Sequence, residues 1–476
     1  MLATLRPASV QAASRVAVRS DVRVSVWLPT TCLAARWLVV LVFAVTSAAG
    51  CGEPAGTTDA RSRPNLLVFV LDAARVDHFG AYGYARETTP HIDAFAVTAT
   101  RFTRAISDGS FTFASIAALF TGLPPDRTGL LRARRLDADL ALLPETARAE
   151  GYRSRGYSEN PFVTATFGFD RGFESFETTL DHATWKRDKR HFEHSSSGPG
   201  IDAMLDFMGE PSERPFFAYL HLLRPHNPYS PPDGFAGRFG SRETGDGSTA
   251  TLLALDKRGG EVPPERIDNL RALYDENLAA ADATFGRLIA GMSSRGVLDR
   301  TIVVLLSDHG EAFLEHDRLL HGSTTFDEMI RIPLLIRIPG QGGGVVDQPV
   351  QLAQLGERLG EVLSGSRAAV DLIRTGSGAT VSWAMQHERR ACVRTRARKL
   401  IVDPSDLRVV AYYDLESDPG ERNPLPPDRE AQRLHAEIEA RIREGHASLS
   451  RLSRRPAAAI DPDVLEQIRA LGYREP

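Results

Sequence analysis

Three stretches of this sequence bring together residue types that could share a reaction. Asp72 ends the apolar run "PNLLVFVLD" (64–72), and Asp308 ends "TIVVLLSD" (301–308), with His309 beside it in "SDHGE" (307–311). Two carboxylates and an imidazole at the ends of such runs form an oxygen-and-nitrogen set suited to a divalent cation. Either Asp alone is more simply a cap on the next helix or turn. The two together favour a metal. The third stretch is "SFTFASIAALFTG", Ser110 to Gly122. It reads as a short turn feeding a helix from about Phe113 to Phe120, with Thr112 at its mouth. Thr112 is either an N-cap or a nucleophile, and the two roles are compatible. A helix aims its positive end at whatever lies there, and a divalent cation makes a hydroxyl easier to deprotonate.

Histidines supply the remaining chemistry. His226, in "HLLRPHNPYSPP" (221–232), follows an apolar run and opens a Pro-rich loop expected to be exposed. It is either polar surface or a group that protonates a leaving oxygen or contacts an anion. His321, in "EHDRLLHG" (315–322), lies on a segment that could fold back over the cation; His316 on the same segment is the weaker candidate.

The elements that must hold these residues read as α/β. The runs at 64–72, 216–222, 301–308 and 333–339 have the unbroken apolar character of strands buried on both faces. Helical periodicity lies between them, most clearly over 265–292. Such alternation predicts a sheet covered on both sides, with ligands at the carboxyl ends of its strands. The Gly- and Thr-rich segment 239–260 reads as a long surface excursion. "GQGGG", starting at Gly340, marks a break after which short strands and polar helices suggest a smaller C-terminal subdomain over 341–476.

The chain of 476 residues is 42% hydrophobic and 25% charged, with a formal charge of −4, which is ordinary for a globular protein. Basic residues are scattered and matched by acids, which excludes a nucleic-acid footprint. The N-terminus carries Arg6, Arg15, Arg19, Arg23 and Arg36 ahead of an apolar run from Trp37 to Ala49. That run is shorter than the ~20 residues of a membrane span but suits a signal peptide. It ends in Ala48-Ala49-Gly50 directly before Cys51, as in a bacterial lipoprotein signal (1–50) cleaved before a lipid-bearing cysteine. The alternative is an ordinary secretory peptide with an incidental cysteine. Residues 51–63 then form a polar tether. The chain is expected to be exported and held at the cell envelope through its N-terminal lipid. Its cysteines are Cys32, Cys51 and Cys392; with the first cleaved and the second lipidated, Cys392 has no intramolecular partner.

Taken in order, the segments "PNLLVFVLDAARVDHFGAYGY", "TTPHIDAFA", "TFASIAALFTGLPP", "FFAYLHLLRPHNPYSPP", "TIVVLLSDHGEAF", the "HG" at 321–322, "RIPLLIRIPG", "YYDLESDPGERNPL" and "DPDVLEQIRALGY" resemble the sulfatase family of the alkaline phosphatase superfamily. The resemblance implies a large α/β domain (64–340) with a mixed central sheet flanked by helices. It also implies a C-terminal subdomain (341–476) with a short antiparallel sheet. By resemblance, Asp72, Asp308 and His309 are metal ligands and Thr112 is the nucleophile and a further ligand. His226 assists the leaving group, and His321 contacts the substrate anion. One divalent ion, Mn, Mg, Ca or Zn, is implied.

The sequence also departs from the family pattern. Family sulfatases oxidise a Cys or Ser in C-x-P-S-R to formylglycine. Thr112 cannot become that aldehyde, because its side-chain carbon bears a methyl, so no formylglycine is expected. Positions 114–116 read Ala-Ser-Ile, which leaves Ile116 where the supporting Arg belongs, and Ala73 replaces a second acid. The usual Lys-x-His falls on Glu159 and Pro161, with Asn160 between them as a substitute amide for substrate. Superfamily phosphodiesterases and phosphotransferases that use a metal-bound Thr are the nearer chemical precedent. The expectation is a phosphoester or phosphodiester hydrolase or transferase, with sulfate ester the weaker substrate. The alternatives are a sulfuric ester hydrolase without formylglycine and a non-catalytic envelope binding protein. The substrate would be a small molecule or a glycan- or lipid-linked ester; oligomeric state is not set by the sequence.

Overall fold

Alternate residues of one strand enter two different cores. In strand β1 (Asn65–Asp72) every residue is buried. Leu66, Val68 and Val70 join one apolar cluster, while Leu67, Phe69 and Leu71 join another on the opposite face. This period of two is what an unbroken apolar run must do when its sheet is covered on both sides.

The computed structural model describes residues 63–179, 198–240, 246–258, 261–374, 376, 378–385, 389–449 and 462–470. They lie within one compact unit, residues 58–476. Cys51, the signal run and most of the tether lie outside the described residues. No described helix is long and apolar enough to cross a membrane.

The remaining strands of the main sheet are β2 (Thr100–Phe102), β3 (Arg153–Ser158), β4 (Ser175–Thr178), β5 (Phe216–Pro225), β6 (Thr301–Ser307), β7 (Leu334–Arg337) and β8 (Gly344–Val346). Their order is β8-β2-β7-β6-β1-β5-β3-β4. β1 is parallel to both neighbours, β5 and β6, whereas β7 runs antiparallel to β6 and β2. The sheet is therefore mixed, as expected. Helix α1 (Thr112–Thr121) and helix α3 (Leu352–Leu363) pack on one face. The long helix α2 (Pro264–Ser294) covers the other through Leu278, Ala281, Phe285 and Leu288.

A four-stranded antiparallel sheet follows, made of β9 (Thr380–Ala384), β10 (Arg390–Arg394), β11 (Arg398–Val402) and β12 (Val409–Asp414). It shares an apolar cluster with helix α4 (Arg429–Leu449). The boundary expected at residue 340 falls too early. β8 pairs with β2 at the edge of the main sheet, and α3 buries Leu352, Leu355 and Leu359 in the main core. The glycines that read as a linker are a turn into one more strand. The segment 239–260 is likewise less irregular than its composition suggests, since Thr249–Asp256 is helical and capped by Ser248.

Helix α1 owes its position to Gly356 of α3, where an added Cβ would lie 2.0 Å from the Leu119 carbonyl oxygen. Ala in a helix interior ordinarily gains about 1 kcal/mol over Gly. Gly356→Ala is expected to do the opposite, costing ~1–3 kcal/mol by overpacking, and to lower the thermal midpoint. A midpoint equal to or above that of the parent would show that the two helices can separate freely.

Candidate active site

Three adjacent strands deliver the polar centre. Asp72 closes β1, His221 sits on β5 opposite Val70, and Asp308 directly follows β6, whose Ser307 pairs with Leu71. All three are fully buried. After Asp72 the chain turns sharply, with Ala73 at φ +56 in the left-handed region, a conformation that costs an L-residue roughly 1–2 kcal/mol. The turn aims the Ala73 amide at Asp308 Oδ1, 3.1 Å away, and the Ala74 amide donates to Ser307 Oγ at 2.8 Å.

Thr112 is the first residue of α1, one place later than a cap. Phe111 occupies the cap position in extended conformation, and no side chain caps the helix there. The Thr112 hydroxyl is thus not spent on the helix. Its Oγ1 lies 3.2 Å from His309 Nε2 and 3.5 Å from Asp72 Oδ1, and accepts from Asn160 Nδ2 at 3.2 Å. Asn160 also donates to Asp72 Oδ2 at 2.5 Å, and its own Oδ1 is fixed by the Phe162 amide. Asn160 therefore ties the Thr112 hydroxyl to the Asp72 carboxylate. Ser115 is bonded to Ser107 and to backbone carbonyls, and Ile116 lies in the apolar core.

His309 Nδ1 must donate to the Gly310 carbonyl at 2.8 Å, because a carbonyl only accepts. Its Nε2 faces Asp308 Oδ2 at 3.4 Å and Asp72 Oδ1 at 3.7 Å. His226 is buried, contrary to the exposed loop expected. β5 continues to Pro225, which pairs with Asp72, and carries His226 inward. Its Nδ1 donates to Asn227 O at 2.6 Å. The His321 ring lies 4.8 Å from that of His226 and 4.4 Å from that of His309, and its Nδ1 is held by Glu311 Oε1 at 3.0 Å. The segment after Asp308 does fold back. His316 is drawn elsewhere, bonded to Glu328 and the Glu421 carbonyl and stacked on Phe326.

The electrostatics call for a cation. The partners of Asp72 and Asp308 are imidazoles, amides and a hydroxyl rather than Lys or Arg. Burial pushes the Asp72 carboxyl up, but His226, His221 and His309 outweigh it and hold the group well below the usual carboxylate range. Asp308 is raised by burial and by the neighbouring Asp72 charge. Burial disfavours the charged form of His309, yet the two carboxylates raise it. Glu311 is pushed up to about 7, chiefly by burial. Buried Asp308 Oδ2 and His221 Nε2 have no hydrogen-bond partner among the described residues. Suitable atoms of Asp72, His221 and Asp308 all lie within 4.8 Å of one another. This donor set fits a divalent cation.

The sequence reading missed His221 and Glu311. His221 stands mid-strand in an apolar run, where a polar side chain needs a buried partner. Glu311 was visible in "SDHGE" but carried no signal of its pairing with His321.

The sulfatase family profile matches residues 64–366, so the chain belongs to the sulfatase family. It is 26% identical over 316 residues to the ulvan-active sulfatase of Formosa agariphila, covering 61% of this chain and 60% of that protein. The fold is similar to that of the phosphonate monoester hydrolase of Agrobacterium radiobacter, with TM-score 0.63 and 21% identity over 81% of this chain and 96% of the other. A further similar structure was solved with D-glucosamine-2-N,6-O-disulfate, with TM-score 0.62 and 18% identity over 82% and 98% of the two chains.

A cation that binds only the folded site stabilises it by about 2.7 kcal/mol at 100 times Kd. Chelator-treated protein is expected to gain thermal stability on addition of a divalent ion, and Asp308→Asn to lose that gain. An equal gain in the variant would place the ion elsewhere.

Proposed function

We propose that this chain cleaves or transfers phosphoester or phosphodiester groups, with sulfate esters as weaker substrates, through Thr112. The observation that carries the reading is the convergence of His309, Asp72 and Asn160 on Thr112 Oγ1. Asp72, Asp308, His309 and Thr112 would hold one divalent ion, Mn, Mg, Ca or Zn. The ion would lower the pKa of the hydroxyl and offset charge on the transferred group.

The residues divide the work as follows. Thr112 Oγ1, its proton released to solvent once an ion is bound, attacks phosphorus as the bond to the leaving oxygen breaks, and His226 gives that oxygen a proton. Asn160 keeps the hydroxyl against Asp72, and His321, oriented by Glu311, faces the substrate anion. The resulting phosphothreonine is released by attack of water or an acceptor alcohol on phosphorus, and the Thr112 oxygen leaves and regains a proton. No aldehyde takes part, in keeping with the methyl on Thr112. Substrates would be small-molecule or glycan- or lipid-linked esters. We further propose lipid anchoring at Cys51, which places this chemistry at the bacterial envelope.

A panel of esters with metal add-back tests the reading. A bis-aryl or mono-aryl phosphodiester is expected to turn over faster than an aryl sulfate, and acid-quenched protein to carry phosphate on Thr112 by mass spectrometry. Thr112→Ala abolishes both signals. Faster aryl sulfate turnover by the unmodified chain would reverse the substrate order, and full turnover in Thr112→Ala would remove the nucleophile. Asn160→Ala is expected to lower turnover about 10–100-fold, the equivalent of a ~1.5–3 kcal/mol charge-assisted hydrogen bond, while metal content stays unchanged. Unchanged turnover in that variant would reduce Asn160 to a structural tie.

A further inference from the structure

We propose that His221 is itself a metal ligand, and that it makes the site select a transition ion of the Mn-to-Zn series over Ca2+ or Mg2+. The argument begins with a bond that is not made. His221 Nε2 lies 3.3 Å from Asp72 Oδ2, close enough for an ion pair, yet it forms no hydrogen bond, and neither does Asp308 Oδ2 beside it. Both atoms are fully buried, and leaving each unsatisfied costs on the order of 1–3 kcal/mol. Ligand atoms of His221, Asp308 and Asp72 lie within 4.8 Å of one another, close enough to share one ion.

The second observation lies behind the ring. Tyr219 OH is 3.0 Å from His221 Nδ1, on the same strand and fully buried. A proton on Nδ1 donated to the phenol oxygen leaves the Nε2 lone pair pointing into the site. The hydroxyl can equally donate to Nδ1, so the contact holds the ring in place and is compatible with the outer-shell role seen behind metal-binding histidines.

The consequence is selectivity. Without His221 the set is mainly oxygen, from Asp72, Asp308 and Thr112, with one nitrogen from His309. With it, two imidazoles balance two carboxylates. Ca2+ and Mg2+ prefer oxygen, whereas imidazole favours the later first-row ions. The bland alternative is a core histidine bridging Tyr219 and Asp72; the 3.3 Å separation is within its reach, but Nε2 is not aligned for a hydrogen bond to the carboxylate.

This inference rests on the same metal-centred site as the ester-cleavage reading, so binding is measured without substrate. Chelator-stripped full-length protein is titrated with Co2+ by visible absorption and with Ca2+ and Mg2+ by calorimetry. The parent is expected to bind Co2+ at least about 100-fold more tightly than either. His221→Ala should weaken Co2+ more than about 100-fold and alter the absorption bands. That exceeds the ~10–100-fold expected of Tyr219→Phe as loss of an outer-shell contact. Should His221→Ala not fold, Co2+-loaded parent protein supplies the answer by NMR. Two shifted imidazole N–H signals, from His309 and His221, support the proposal, and one alone overturns it. Co2+ binding within tenfold of the parent in folded His221→Ala, alongside loss in Asp308→Asn, overturns the role of His221 and leaves the site intact. A parent that binds none of the three ions overturns both.

Discussion

Two carboxylates lie close together in the interior with no Lys or Arg partner among the described residues, and the rest of the site is arranged around that fact. Asp72 and Asp308 are each fully buried. In a low-dielectric interior an unpaired charge is expensive, and two like charges are worse. The chain meets part of the cost with the Ala73 and His309 amides at Asp308 Oδ1, and with Asn160 at Asp72 Oδ2. It does not neutralise the pair. The two carboxyls shift in opposite directions, Asp72 held down chiefly by imidazoles and Asp308 pushed up by burial and the Asp72 charge, and a divalent cation would favour the charged form of both.

The scaffold makes that unfavourable arrangement persist. Parallel pairing of β1 with β5 and β6 brings three strand ends to one level. A one-residue slip would send Asp72 or His221 to the wrong face. Apolar clusters on both faces hold the register. α1 brings its N-terminus to the same level and is located by the close approach at Gly356. The strained turn at Ala73 is affordable only because its amides find partners in the strand beside it.

What the sequence revealed follows from this geometry. Strand ends are legible because an apolar run that stops in Asp announces both its burial and its direction. Asp72, Asp308 and His309 could therefore be read singly, as could the long helix now seen at Pro264–Ser294. Thr112 was legible as a helix start, although only the structure shows Phe111 in the cap position. His221 was not legible, since its meaning depends on the pairing of Val70 with His221 and nothing local records a register between strands 150 residues apart in round figures. The same holds for His226, whose Pro-rich surroundings suggested exposure while a longer strand buries it. The boundary at 340 failed because glycines mark turns as readily as linkers, and an edge strand of three residues is too short to show a period.

The threonine gives the site its chemical direction on the proposed reading. A formylglycine hydrate can expel its ester by collapse, so the second half-reaction takes place at carbon. Thr112 carries no such option, because its carbon bears a methyl and a hydrogen. Its ester must be opened by a nucleophile at phosphorus or sulfur. That places the burden of the second step on proton handling, for which His226, His321 and Glu311 are grouped beside His309. Glu311, whose carboxyl burial pushes up to about 7, is bonded to His321 and would take part in moving a proton from water or an alcohol. On this reading the cluster around His321 serves the second step as well as the first.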